Sequence, residues 1–91
     1  MTNPTTHIID YWSIHFQPIW EKKNRAMLLK NDCDYKVNNF INLQEWDPVK
    51  EKYTGRSLVT KITYILESEI LPKSYVILSL SEPVSRTQVM P

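Results

Sequence analysis

Ninety-one residues form one domain, and 42% hydrophobic with 23% charged residues is the composition of a folded chain rather than a disordered one. The net charge of +1 carries no global nucleic-acid signature, so any such binding needs a local patch. A single cysteine, Cys33, excludes an internal disulfide and any paired-cysteine metal site, and no run of about 18 apolar residues is available to span a membrane. The first residues lack a charged start followed by an apolar stretch, so no secretory signal is expected. A reducing, cytoplasmic location is expected, with no membrane partner.

Met1 to Thr6 is polar, holds Pro4, and is expected to be a loose tail. His7 to Tyr11 reads as a short strand. Trp12 to Glu21 spaces Trp12, Phe16, Ile19 and Trp20 at helical intervals, with Ser13 as a candidate cap and core packing expected for the aromatics. Pro18 predicts that this helix is short or kinked.

Lys22, Lys23, Arg25 and Lys30 follow with no acid among them, a local charge of +4 over nine residues. A solvated helix end and a phosphate-binding patch both fit such a run. Ala26 to Leu29 is an apolar strand ending at Lys30. Asn31-Asp32-Cys33-Asp34 is turn-prone because Asn and Asp side chains bond nearby backbone. Tyr35-Lys36-Val37 resumes extended alternation, and Asn38-Asn39 predicts a tight reversal with positive φ. Phe40 to Trp46 is a strong strand, stopped by Asp47-Pro48.

Tyr53-Thr54-Gly55-Arg56 reads as a second turn, with the only glycine marking a positive-φ position. Leu58 to Leu66 alternates and is rich in β-branched residues, so it is the clearest strand. Pro72 ends the next connection. Tyr75 to Leu80 is nearly all apolar, as expected of a strand covered on both sides. Glu82 to Pro91 is polar with two prolines and is expected to be a second loose tail. The predicted core is Ile41, Leu43, Ile62, Tyr64, Ile65, Val76, Leu78 and Leu80. The fold class is therefore α+β, a small mixed barrel of about five strands with one or two short helices.

Three motifs, Lys30-Asn31-Asp32, Glu45-Trp46-Asp47-Pro48 and Tyr53-Thr54-Gly55-Arg56, resemble a small phage- and bacterium-borne domain of the ASCH group, over about His7 to Leu80. That resemblance implies a PUA-like β-barrel plugged at one end by the helix. Some members of the group hydrolyse modified cytidine through a Gly-x-Lys-x-x-Glu-x-Arg pattern, and others are linked to RNA. Here the pattern falls on Lys22, Asn24, Met27 and Leu29, so each signature residue is replaced. Lys23 does not restore the lost lysine, since a one-residue slip turns the side chain away from its target. The hydrolase activity is expected to be lost.

Other catalytic constellations are weaker. Asp10, Ser13 and His15 lie close in sequence and lack a nucleophile elbow. His7 and His15 lack metal-ligand spacing, Cys33 sits between two acids that disfavour its thiolate, and one glycine cannot build a phosphate loop. No cofactor and no metal are expected. The expected function is a noncatalytic module that binds RNA or another nucleic acid through Lys22, Lys23, Arg25, Lys30, Trp46 and Arg56. Those residue types clamp phosphates and stack a base. The alternative is a phage-type protein that binds and inhibits a host protein or ribonucleoprotein complex, and the third is a hydrolase on modified nucleosides. The sequence leaves the oligomeric state open.

Overall fold

A computed structural model describes residues 5–89. Six strands and one helix follow in the order β1 (Thr6–Trp12), α1 (Ser13–Trp20), β2 (Ala26–Lys30), β3 (Phe40–Asp47), β4 (Lys52–Leu66), β5 (Tyr75–Leu80) and β6 (Ser85–Gln88). The strands form one sheet in the order β1-β3-β4-β5-β2, with β6 paired to β4 beside that path. β1 runs parallel to β3, and all other pairs are antiparallel.

The long strand β4 organises the sheet. Its first part pairs with β3 and β6, and its last residues pair with β5. The inward alternation of each strand then converges on one core: Ile41, Leu43, Leu58, Ile62, Val76, Leu78 and Leu80, with Met27 from β2. Phe16 and Ile19 of α1 and Tyr35 complete it. The α+β class holds, but the predicted closed barrel does not, because among the described residues no ladder joins β1 to β2.

The reason lies at the free edge of β2. Alternate backbone groups there face away from β5 and would have to bond β1. Instead the Asn24 amide bonds both the N–H and the carbonyl of Ala26, each at 3.1 Å, and the Asp32 N–H donates to the Lys30 carbonyl at 2.9 Å. Capped edges of this kind resist further strand pairing. The core is sealed by the buried side chains of α1 rather than by a closing ladder.

Four local expectations need correction. Tyr64 is exposed at 58% while Ile65 packs on the core, because a bulge between Ile62 and Tyr64 shifts the register with β5 and exchanges the faces. Tyr53–Arg56 is not a turn but part of β4. Gly55 does take positive φ, at 95°, where β4 carries extra residues opposite Gln44–Trp46. The segments expected to be loose are built into the sheet where they are described: Thr6 opens β1, and Ser85–Gln88 is β6. Residues 1–4 and 90–91 lie outside the described residues. Lastly, Ser13 does not cap α1; its hydroxyl donates to the Trp46 carbonyl at 3.3 Å, and Trp12 stands at the N-cap.

Several turns form as their residues dictate. Asn38 has φ 76°, and the Asp47 carboxylate accepts from the N–H groups of Val49 and Lys50 at 2.9 and 3.1 Å. α1 is short: it ends at Trp20 with Glu21 at the C-cap, and Lys22, at φ 64°, turns the chain out of the helical run.

Candidate functional site

The sheet presents two chemically different faces around β3. On the inner face, Glu45 is buried beside the core. Arg56 of β4 reaches it with two prongs, Nε to Oε1 at 2.7 Å and Nη2 to Oε2 at 2.9 Å. The Thr54 hydroxyl also donates to Oε1, and Arg56 Nη2 donates to Oε1 of Gln17 on α1. Burial pushes the Glu45 carboxyl upward, but the bonds from Arg56 and Thr54 and the Arg56 charge outweigh it. The group is held below the usual carboxylate range. The bond to Glu45 likewise raises Arg56 above its ordinary value, against its partial burial. The guanidinium lies 5.4 Å from the Phe16 ring and 4.9 Å from the Trp20 ring. Arg86 of β6 stacks on Trp20 as well, at 4.0 Å. This is a satisfied ionic pin between α1 and the sheet. Three of the roughly four lone-pair directions of this carboxylate are taken, and the Arg56 charge holds it ionised, so it is a weak base for abstracting a proton.

On the outer face the strands carry their odd-man-out aromatics in register. Trp12 of β1 is the pairing partner of Trp46 of β3, and Trp46 is the partner of Tyr53 of β4. Adjacent strands are about 4.8 Å apart, so the three side chains make a row roughly 10 Å across. Trp12 is 55% exposed, Tyr53 is 50% exposed, and Trp46 between them is half-buried. The Trp46 and Tyr53 rings meet edge to face at 4.9 Å. The Tyr53 hydroxyl donates to Asp10 Oδ2 at 2.9 Å, which fixes the ring and raises the phenol above its ordinary value. Beside the row is an open cleft of about 220 Å³, lined by Gln44, Tyr53, Gly55, Arg56 and Ser57. Lys50 and Lys52, both exposed, precede Tyr53 at the β3–β4 turn.

The predicted site residues are distributed over this frame unevenly. Lys22, Lys23 and Arg25 share the exposed α1–β2 loop. Lys23 pairs with Glu21 at 3.4 Å, and Arg25 pairs with Glu82 at 2.6 Å, although Glu82 is remote in sequence. Lys30 ends β2, about 16 Å further along the strand. Arg56 turns its guanidinium to the inner face and Trp46 its ring to the outer one, so they do not form one rim. Trp12 and Tyr53 were missed by sequence reasoning. Helical spacing points Trp12 to the core, whereas the period-2 exposure of β1, where Thr6, Ile8, Asp10 and Trp12 all face out, turns it to the surface. Met27 is buried and Leu29 packs against the core. Among the described residues, no group of three or more His, Cys, Asp or Glu side chains is placed to hold a metal. Among the described residues, no helix is long and apolar enough to cross a membrane.

The model of a family described as "Domain of unknown function (DUF3850)" matches residues 6–80. No curated protein matches the chain.

Proposed function

The chain belongs to the DUF3850 family, and for this member we propose a noncatalytic module that binds single-stranded nucleic acid, RNA above all, on the outer face of β1, β3 and β4. The observation that carries it is the in-register row Trp12–Trp46–Tyr53. Flat aromatic side chains spaced along adjacent strands are a stacking platform for unpaired bases, each stack contributing about 1–3 kcal/mol. The neighbouring cleft offers the Gln44 amide and the Ser57 hydroxyl to base edges. Lys50 and Lys52 are positioned to meet phosphates, with Lys22, Lys23 and Arg25 as a more distant supply of charge.

The likeness of the Lys30-Asn31-Asp32, Glu45-Trp46-Asp47-Pro48 and Tyr53-Thr54-Gly55-Arg56 motifs to the ASCH group supports this reading, since that group is linked to RNA. A PUA-like ancestry, with the barrel left open in this chain, is part of the proposal. Catalysis is absent from it because Glu45 is locked to Arg56 and two of the four signature positions, Met27 and Leu29, pack as apolar residues.

A second reading has its own observation. The ion pairs of Lys23 and Arg25 reduce the free positive charge of the basic loop, and exposed Trp and Tyr are also what protein interfaces use as anchors. On that reading the same row docks a host protein or ribonucleoprotein complex and inhibits it. Titration with a single-stranded RNA oligomer and its duplex, followed by tryptophan fluorescence at low salt, separates the two. Quenching by the single strand and not the duplex supports base stacking; silence toward both leaves the protein partner.

A further inference from the structure

β6 is attached to the sheet unlike any other strand. Its four residues are all exposed, and none enters the core. It is held by its ladder with Arg56–Val59 of β4, by Val84 N–H to the Val59 carbonyl at 2.7 Å, and by Val89 N–H to the Gly55 carbonyl at 2.7 Å. The one side-chain anchor is Arg86, which stacks on Trp20 at 4.0 Å and donates to the Trp20 carbonyl at 3.0 Å. Gly55, the only glycine, has φ 95°, and a Cβ there would collide with the Val89 carbonyl oxygen. The chain therefore keeps this position free of a side chain where a strand passes along the β4 edge. The family match ends at residue 80. The β4 edge lies inside the matched domain, and the strand that covers it lies outside.

We propose that the β4 edge from Gly55 to Val59 is a strand-acceptor site for an extended peptide of a protein partner that carries an arginine in the place of Arg86, and that β6 is the chain's own exchangeable occupant of that site. The main-chain ladder supplies affinity, and the arginine over Trp20 supplies specificity. The acceptor is preformed. Trp20 is fixed by stacking on Phe16, ring centroids 5.7 Å apart, and by Arg56 at 4.9 Å, and neither contact involves β6. Release of β6 uncovers little apolar surface, because the strand is polar and exposed and the valines that border it, Val84 and Val89, are already exposed, so this opening belongs to the low-energy end of the molecule's fluctuations. The covalent tether gives β6 an effective concentration of the millimolar order, which the incoming strand must outcompete.

The test uses a fluorescent synthetic peptide with the chain's own sequence from Glu82 to Val89, added to the full chain in a Cys33→Ser background. Ser57 and Thr87 are register partners outside the core. Their Cα spacing, about 5.5 Å in such a pair, suits a Ser57→Cys/Thr87→Cys disulfide that locks β6 down. Arg86→Ala should bind the peptide about five-fold tighter than the parent, the order expected when the tethered strand loses one arginine–aromatic stack. The oxidised lock should not bind it, and reduction should restore binding. Failure of Arg86→Ala to bind, or equal binding by the oxidised lock, overturns the proposal. So does a dimer that exchanges its own β6 and refuses the free peptide, since the occupant is then a second copy.

Discussion

Arg56 and Glu45 face each other across β3 and β4 as a two-pronged ion pair, 2.7 and 2.9 Å, with the carboxylate 3% exposed. The pair fastens the bulged part of β4 to β3, and through Gln17, Phe16 and Trp20 it fastens α1 to both. Removing one partner strands the other in a largely dry site. Glu45→Ala should therefore destabilise the fold by about 3 kcal/mol, toward the lower end of the range for a broken buried pair, and urea unfolding measures it.

The same pair sets an acid limit. The folded-state pKa of Glu45 is depressed relative to the unfolded chain. Its stabilising contribution is thus fully present above the unfolded value of about 4.3 and disappears as pH falls through the lower folded value. Unfolding free energy should fall as pH drops below the unfolded value, and the fall should be smaller in Glu45→Gln. Equal pH profiles for the two chains would remove Glu45 from that role.

Leu78 and Tyr64 test the bulge in β4. Leu78 is fully buried, and its truncation to alanine should cost about 2–5 kcal/mol. Tyr64, turned outward by the register shift, should cost less than about 1 kcal/mol on the same change. Comparable losses at both positions would mean that Tyr64 faces the core.

The pattern of what the sequence revealed follows from the range of the interactions involved. Phe40–Trp46 and Tyr75–Leu80 were legible because inward alternation and continuous apolar runs are local signals. Gly55 and Asn38 were legible because positive φ restricts residue type. Tyr64 was misassigned because a bulge depends on the partner strand. β6 is invisible in the sequence because its four polar residues join the sheet by backbone pairing, which leaves no mark on composition, and its one side-chain anchor, Arg86 on Trp20, is a contact that only the fold makes. The parallel union of β1 with β3 is a contact between segments about thirty residues apart, and it alone aligns Trp12 with Trp46. Of the site, Trp46 could be named from sequence, but its neighbours could not. The basic run was legible as charge, while its partner Glu82 is brought to it only by the fold.

Charge near the aromatic row should dominate the salt dependence of binding. Lys50→Ala with Lys52→Ala should flatten the log–log salt slope for a single strand by about 0.7 per lysine. Lys23→Ala with Arg25→Ala should change it less, because Glu21 and Glu82 already share those charges. The reverse ranking would move the phosphate path to the α1–β2 loop.

The affinity of a single-stranded RNA oligomer for the parent chain and for Trp46→Ala, with thermal unfolding of both recorded in the same buffer, tests the central claim most directly. Trp46 lies on the outer face, away from the core cluster. The substitution should weaken binding by about 1–3 kcal/mol, the contribution of one stacked base, while the cooperative melt persists. Unchanged affinity in a folded Trp46→Ala protein would contradict the stacking platform, as would loss of the folded state itself.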